Sequence, residues 1–273
     1  MSFRRLAGAV LTGAAVALAP LALYAQKLPD RSSIPNPFPK LPEGRAAMFE
    51  VRDSRALDML QYMHCMNSTV AAGESGLLGK LPEGALIVCV KERNEWRGLV
   101  GMLDDERTKF TVSSQFALRG PGMRVTEAID TTKAAAVARG MIRGISVPAP
   151  GGSRYSFTPV PLLFQSFVEV WFMPVQSNAS RFIVGGDSVI QMTADGRREQ
   201  GHSSKAPSIR ELPMPSGSRF VIESTEQEIP LISELLAARL ALLRVPEVQV
   251  RTKKVDYLLS NATRKWAQTP RGT

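Results

Sequence analysis

Residues 109–118 carry the pattern that most restricts the fold, because hydrophobic and polar side chains alternate there with a period of two. Phe110 and Val112 alternate with Thr111 and Ser113, which is typical of a strand with one buried face. Two shorter strand candidates precede this segment, at residues 86–90 and 96–103. We predict that the three segments form an antiparallel meander.

Strand-like patterns return in the second half of the chain, at residues 155–163, 167–175, 181–194 and 219–223. Near the end of the chain, Val248 and Val250 and then Val255, Tyr257 and Leu259 alternate with polar residues, which predicts a terminal hairpin or strand pair. The dipeptide Asp195-Gly196 is a strong signal for a tight turn. Gly185 and Gly186 interrupt an otherwise apolar strand pattern. Consecutive glycines within a strand indicate a bulge or the close approach of another backbone or a ligand.

Three segments predict helices. The first is capped by Asp53 or Ser54 and ends before Gly73, and the second spans residues 126–143. One face of the first helix would carry Leu57, Leu60, Met63 and His64. The third helix, at residues 230–244, has a leucine-rich stripe and should pack on a sheet. Because helices and strands come in blocks, we predict an α+β fold, a mostly antiparallel β-sheet with two or three packed helices.

The first 25 residues have the layout of a secretory signal peptide. Arg4 and Arg5 form a basic start, residues 6–23 carry no charge, and Ala25 supplies a small residue at the end. A permanent membrane anchor is the alternative, but this stretch is rich in Ala and Gly and contains a proline. We predict cleavage after Ala25, which gives a periplasmic or secreted protein with no stable membrane span.

A proline-rich segment follows the predicted signal peptide. Its prolines, which remove backbone donors that helices and strands need, are Pro29, Pro35, Pro37, Pro39 and Pro42. We therefore predict a linker over residues 26–47 and a single α+β domain over residues 48–273. A split into two lobes near residues 148–153, which are rich in Pro and Gly, is the alternative.

Cys65 and Cys89 are the two cysteines of the chain. In an oxidising compartment an even pair predicts one disulfide. The alternative is two buried thiols, because Cys89 lies within an apolar run.

The basic charge is spread along the chain. Removal of residues 1–25 takes away Arg4 and Arg5 and lowers the formal net charge from +9 to +7. Because the cations reach only short clusters, a solvated cationic surface is the simplest interpretation, and we expect no nucleic acid partner. An anionic envelope polymer is an alternative partner for a surface of this charge.

His202 offers the best argument for catalysis. It follows Asp187 and Asp195 and adjoins Ser203 in a polar segment. A carboxylate that orients His202 toward a serine would give a nucleophilic arrangement, whereas the alternative is an exposed loop histidine. The chain lacks the common dinucleotide, zinc-protease and thioredoxin motifs, so we predict no cofactor and no metal.

Two functional hypotheses follow. The preferred one is a non-catalytic binding or interaction domain of the cell envelope, whose partner is another envelope or secreted protein. The competing one is an envelope hydrolase that uses His202 with Asp187 or Asp195 and a nearby serine such as Ser203. Glycosylation sequons, which would matter on a eukaryotic extracellular protein, begin at Asn67, Asn178 and Asn261.

Overall fold

We describe a computed structural model of the chain. The described residues are 43–74, 84–92, 95–117, 123–124, 129–147, 155–175, 181–205 and 208–271. The predicted signal peptide, residues 26–42 of the predicted linker, the predicted boundary at residues 148–153 and the sequon at Asn178 lie outside them. Residues 43–47, the last five of the predicted linker, begin a helix.

The described residues contain three helices and four sheets. Among their strand pairs, one is parallel and the others are antiparallel. This confirms the predicted α+β fold. The chain divides into two compact units. The first unit includes residues 61–177 and 188–204. The second unit includes residues 27–60, 178–187 and 205–273.

The first sheet of the first unit is an antiparallel meander. Its strands, in spatial order, are β1 (Leu86–Glu92), β2 (Glu95–Leu103), β3 (Phe110–Ala117) and β4 (Met123–Arg124). The three predicted strands are confirmed. Val88, Cys89 and Val90 are consecutive and all buried, so both faces of β1 are covered.

The second sheet of the first unit is also antiparallel. Its strands, in spatial order, are β5 (Phe157–Leu163), β6 (Phe167–Pro174), β8 (Ser188–Thr193) and β9 (Glu199–Ser204). Val168, Val170, Ile190 and Met192 are buried in one apolar cluster on this sheet. The predicted turn at Asp195-Gly196 joins β8 to β9 and is confirmed.

Helix α2 (Thr131–Ser146) packs against both of these sheets. It begins later than the predicted 126–143 because Asp130 caps it, accepting a hydrogen bond from Thr132 N at 2.9 Å. Residues 134–141 are all buried, as a helix between two sheets requires. A Cβ atom added at Gly144 would lie 2.4 Å from Pro159 Cβ, so the glycine lets the helix approach β5 closely.

Helix α1 (Glu43–Glu74) contributes residues to both units. The predicted cap at Asp53 is wrong, because the helix starts well before it and Asp53 is a buried residue in its interior. The predicted apolar face is also wrong. The buried positions include Ala56, Met59, Tyr62 and Cys65. The buried face of the helix therefore differs from the predicted one, and it contains Cys65, which forms a disulfide.

The predicted disulfide between Cys65 and Cys89 is confirmed, with the two Cα atoms 6.2 Å apart. It joins α1 to β1, and both cysteines are buried. One turn along the helix, Thr69 lies against β2, where a Cβ atom added at Gly98 would be 1.8 Å from Thr69 Oγ1. The disulfide and this glycine together hold the second half of α1 against the meander.

The main sheet of the second unit contains the parallel pair. Strand β11 (Arg219–Glu223), helix α3 (Ile232–Ala241) and strand β12 (Glu247–Arg251) follow one another, and β11 pairs with β12. Strands β13 (Val255–Ser260) and β14 (Trp266–Pro270) extend the sheet in antiparallel fashion. Helix α3 packs on β12, as predicted. Strand β14 was missed because its sequence does not alternate.

A separate pair in the second unit joins β7 (Arg181–Val184) to β10 (Arg210–Pro213). The single strand predicted at 181–194 is therefore wrong, since β7 and β8 belong to different sheets. Gly185 and Gly186 lie between β7 and β8 and adopt positive φ values of 87° and 68°, respectively. A Cβ atom at Gly185 would lie 2.0 Å from the Ser208 carbonyl oxygen. Of the predicted alternatives, the structure therefore shows the close approach of another backbone.

None of the described helices is both long and apolar enough to cross a membrane.

Candidate functional site

The β8–β9 hairpin places His202 beside a serine. His202 lies opposite Ile190 in the register, and Ser188 lies opposite Ser204. Residues two positions apart on a strand share a face, so His202 and Ser188 project from the same face on adjacent strands. His202 Nε2 and Ser188 Oγ are 2.9 Å apart.

Ser188, rather than the predicted Ser203, is thus the hydrogen-bond partner of His202. Ser203 projects from the opposite face of β9, because it adjoins His202 in the strand. A signal for this pair exists in the sequence. If residues are paired outward from the Asp195-Gly196 turn, Ser188 falls close to His202. A register shift in the hairpin changes the exact pairing.

Asp187 belongs to the second unit, where its carboxylate binds the N-terminus of helix α3. Ile232 N donates to Asp187 Oδ2 at 2.8 Å, and Ser233 N donates to Oδ1 at 3.3 Å. A carboxylate at this position satisfies backbone donors that have no partner within the helix. Burial nevertheless raises the pKa of Asp187, against the hydrogen bonds from Ser233 and Ile232, which lower it.

Asp195 is held within its own turn. Its Oδ1 accepts hydrogen bonds from Thr193 Oγ1 at 2.5 Å and from Arg197 N at 3.1 Å. The hydrogen bond from Thr193 lowers the pKa of Asp195, helped by the charge of Arg139. Within the described part of the chain, neither Asp195 nor another carboxylate hydrogen-bonds to His202.

Buried Arg139 on helix α2 fixes the turn of this hairpin. Its Nε donates to the Asp195 carbonyl oxygen at 2.7 Å, and its Nη1 donates to the Arg107 carbonyl oxygen at 2.7 Å. The Arg107 carbonyl lies in the β2–β3 connection, so one guanidinium ties turns of both sheets to the helix. A Cβ atom at Gly196 would lie 2.5 Å from the Ala136 carbonyl oxygen. The absence of a side chain at Gly196 therefore allows the turn to pack closely against α2.

Glu234 marks a second polar cluster, which sequence reasoning missed. It is fully buried on α3 and pairs with Arg210. Glu234 Oε2 accepts hydrogen bonds from Ser224 Oγ at 2.6 Å and from Leu231 N at 2.9 Å. The signal was a Glu three residues after the start of the helix, which is typical of a capping box. These contacts cap the start of helix α3, and both carboxylate oxygens of Glu234 already have hydrogen-bond or ion-pair partners.

The Ser188–His202 pair has the atoms of a nucleophile and a base, since His202 Nε2 could accept the proton of the Ser188 hydroxyl. Nucleophilic attack also requires that a substrate reach the oxygen. Ser188 is only 1% exposed, whereas His202 is exposed.

No cluster of three metal-ligating side chains occurs in the residues that the structure describes. In comparisons with known proteins, no family model, curated protein or solved structure matches this chain.

Proposed function

We propose that the chain is an exported, non-catalytic interaction domain of the cell envelope that binds another envelope or secreted protein. The observation that carries this proposal is the bonding of the two carboxylates that a His202 mechanism would use. Asp187 caps helix α3, and Asp195 closes its own turn. Both therefore act as structural groups, and the burial of Ser188 favours the same interpretation.

Export is supported by the N-terminal pattern and by the disulfide. A Cys65–Cys89 bridge persists in oxidising compartments and is rare in the cytosol. The test is cell fractionation followed by intact-mass measurement, with and without reduction. A species that begins at residue 26 and gains about two mass units on reduction supports export. A full-length cytoplasmic species would contradict it.

Partner binding is tested by chemical cross-linking in the native host, followed by binding of the purified protein to the identified partner. An apolar or hydrogen-bonded interface should survive in about 1 M salt, where the screening length is about 3 Å. Binding that disappears in salt would instead support the anionic polymer. The ion pairs Arg143–Glu199, Arg219–Glu247 and Lys254–Glu228 neutralise several exposed cations, which weakens the case for a polymer.

The hydrolase remains the second candidate, because Ser188 Oγ and His202 Nε2 lie 2.9 Å apart. Its test is hydrolysis of a small activated ester by the wild type and by the Ser188→Ala and His202→Ala variants. Ser203→Ala is the matched control, since this serine projects from the other face of β9. Activity lost in the first two variants and retained in the third would establish the hydrolase and contradict a purely binding role.

A further inference from the structure

Strand β9 forms the outer edge of its sheet. It pairs with β8 on one side, and within the described part of the chain no strand pairs with its other side. All six of its residues, Glu199–Ser204, are exposed. A strand edge of this kind presents unpaired N–H and C=O groups that can bind another strand.

The opposite edge of the same sheet is protected. Strand β5 carries Pro159 and Pro161, which lie opposite Phe172 and Val170 of β6. Proline has no N–H to donate and occurs in edge strands where that position faces outward. Strand β9 contains no proline, so the sheet has one edge that resists strand pairing and one that does not.

The backbone groups that face outward from β9 follow from the ladder. Lys205 N donates to the Asp187 carbonyl oxygen at 2.7 Å. Hydrogen-bonded pairs alternate along an antiparallel ladder, so Ser203 and Gly201 direct their backbone groups toward β8. His202 and Ser204 consequently direct their N–H and C=O groups away from β8.

The charge near the start of β9 indicates what kind of strand would fit. Arg198 is exposed and makes no ion pair with any described residue, unlike Arg143, which pairs with Glu199 at 2.6 Å. An acidic side chain on an added strand would therefore find a free cation at this end. The side chains of β9 itself are polar on both faces, which favours a polar partner.

We propose that β9 binds an extended, polar peptide segment of a partner protein by strand addition, with main-chain hydrogen bonds to His202 and Ser204 and an acidic residue near Arg198. This proposal rests on the interaction function and identifies the surface and the class of partner. The main chain supplies the affinity and the acidic residue supplies the selectivity.

The test begins with selection of a random 12-residue peptide library against the purified protein, followed by titration of a selected synthetic peptide. The decisive pair of variants is Ser204→Pro and Ser204→Ala. Both remove the hydroxyl, but only the first removes the outward N–H. We expect about tenfold weaker binding for the proline variant and a change of less than about twofold for the alanine variant.

Amide exchange of the wild-type protein gives a second measurement that needs no variant. Exchange at the His202 and Ser204 N–H groups should slow when the peptide binds, while exchange at Gly201 and Ser203 should change little. Arg198→Ala should weaken binding of the acidic peptide, and the effect should shrink as salt is raised.

The proposal would be overturned by a library that yields no binder, by equal binding to both Ser204 variants, or by a self-associating protein whose Ser204→Pro variant becomes monomeric. A host partner that binds the Ser204→Pro variant normally would overturn strand addition at β9 but leave the interaction function intact. Peptide binding without any host partner would contradict the interaction function instead.

Discussion

Arg239 on helix α3 holds both carboxylate oxygens of Asp53 on helix α1. Arg239 Nη2 lies 2.7 Å from Asp53 Oδ1 and 2.6 Å from Oδ2, and Arg239 Nε lies 2.9 Å from Oδ1. Trp266 Nε1 donates to the same Oδ1 at 2.9 Å. The two charged side chains are 12% and 11% exposed, so the second unit contains a bidentate ion pair that is largely removed from water.

Loss of one partner of this pair should be strongly destabilising. Among the described residues, Arg239→Ala leaves the buried Asp53 carboxylate with the Trp266 N–H as its side-chain partner, and we expect a loss of about 3 kcal/mol in the free energy of unfolding. Arg219→Ala is the matched control, because Arg219 also contacts Glu247 through two nitrogens but at the surface. That variant should lose less than about 1 kcal/mol. Equal losses in urea unfolding would contradict the prediction.

Glu234 should make stability depend on pH. Burial raises its pKa above the ordinary 4.5, although Ser224, Leu231 and Arg210 favour the charged form. A carboxyl group whose pKa is raised in the folded state binds its proton more tightly there than in the unfolded chain. Its contribution to the free energy of unfolding is therefore complete below pH 4.5 and is lost as the pH rises through its pKa in the folded protein.

The variant Glu234→Gln cannot ionise and isolates this contribution. Relative to it, the wild type should lose stability as the pH is raised from 4.5 toward neutrality. Urea unfolding of both proteins over this range gives the difference directly. A difference that stays constant, or that grows in favour of the wild type with rising pH, would sink the prediction.

The Cys65–Cys89 bridge should contribute substantially to the stability of the first unit. The cysteines are separated by 24 positions in sequence, and closure of a loop of that size contributes about 3 kcal/mol in the chain-entropy model. We expect the Cys65→Ala, Cys89→Ala double variant to lose about this amount. Adding reductant should lower the melting temperature of the wild type and leave that of the double variant unchanged.

Gly144 should not tolerate a side chain. Alanine favours a helix over glycine by about 1 kcal/mol, but its Cβ would lie 2.4 Å from Pro159 Cβ and 2.9 Å from Val170 Cγ1. We therefore expect Gly144→Ala to destabilise the protein by about 1 to 3 kcal/mol. Gly201→Ala is the control, because nothing lies within 4 Å of an added Cβ there. A stabilised Gly144→Ala variant in thermal unfolding would show that helix α2 shifts to accommodate the methyl group.

Local pattern was sufficient for several elements that contact mainly their sequence neighbours. The meander β1–β3, the turn at Asp195-Gly196 and helix α3 all agree with the sequence, since alternation, turn residues and a leucine stripe specify them locally. The disulfide was also predictable, because the chain has only two cysteines. These features together establish the α+β class.

The prediction of the candidate site was less complete, because the partners of its residues come from other elements. His202 and Asp187 were identified from the sequence, but their contacts were not. Ser188 reaches His202 through the strand register, and Asp187 binds a helix that begins far along the chain. Such contacts depend on which strands pair, and residue types alone do not specify that.

The sequence by itself determined the α+β class, the β1–β3 meander, the Asp195-Gly196 turn, helix α3 and the identity of the disulfide. Only the tertiary structure decided that Gly185 and Gly186 divide a predicted strand between two sheets, and that Asp53 is buried against Arg239 rather than capping a helix. The physical reason is that a left-handed turn and a buried ion pair are stabilised by distant groups. Their free energy depends on contacts between segments, which local propensity cannot contain.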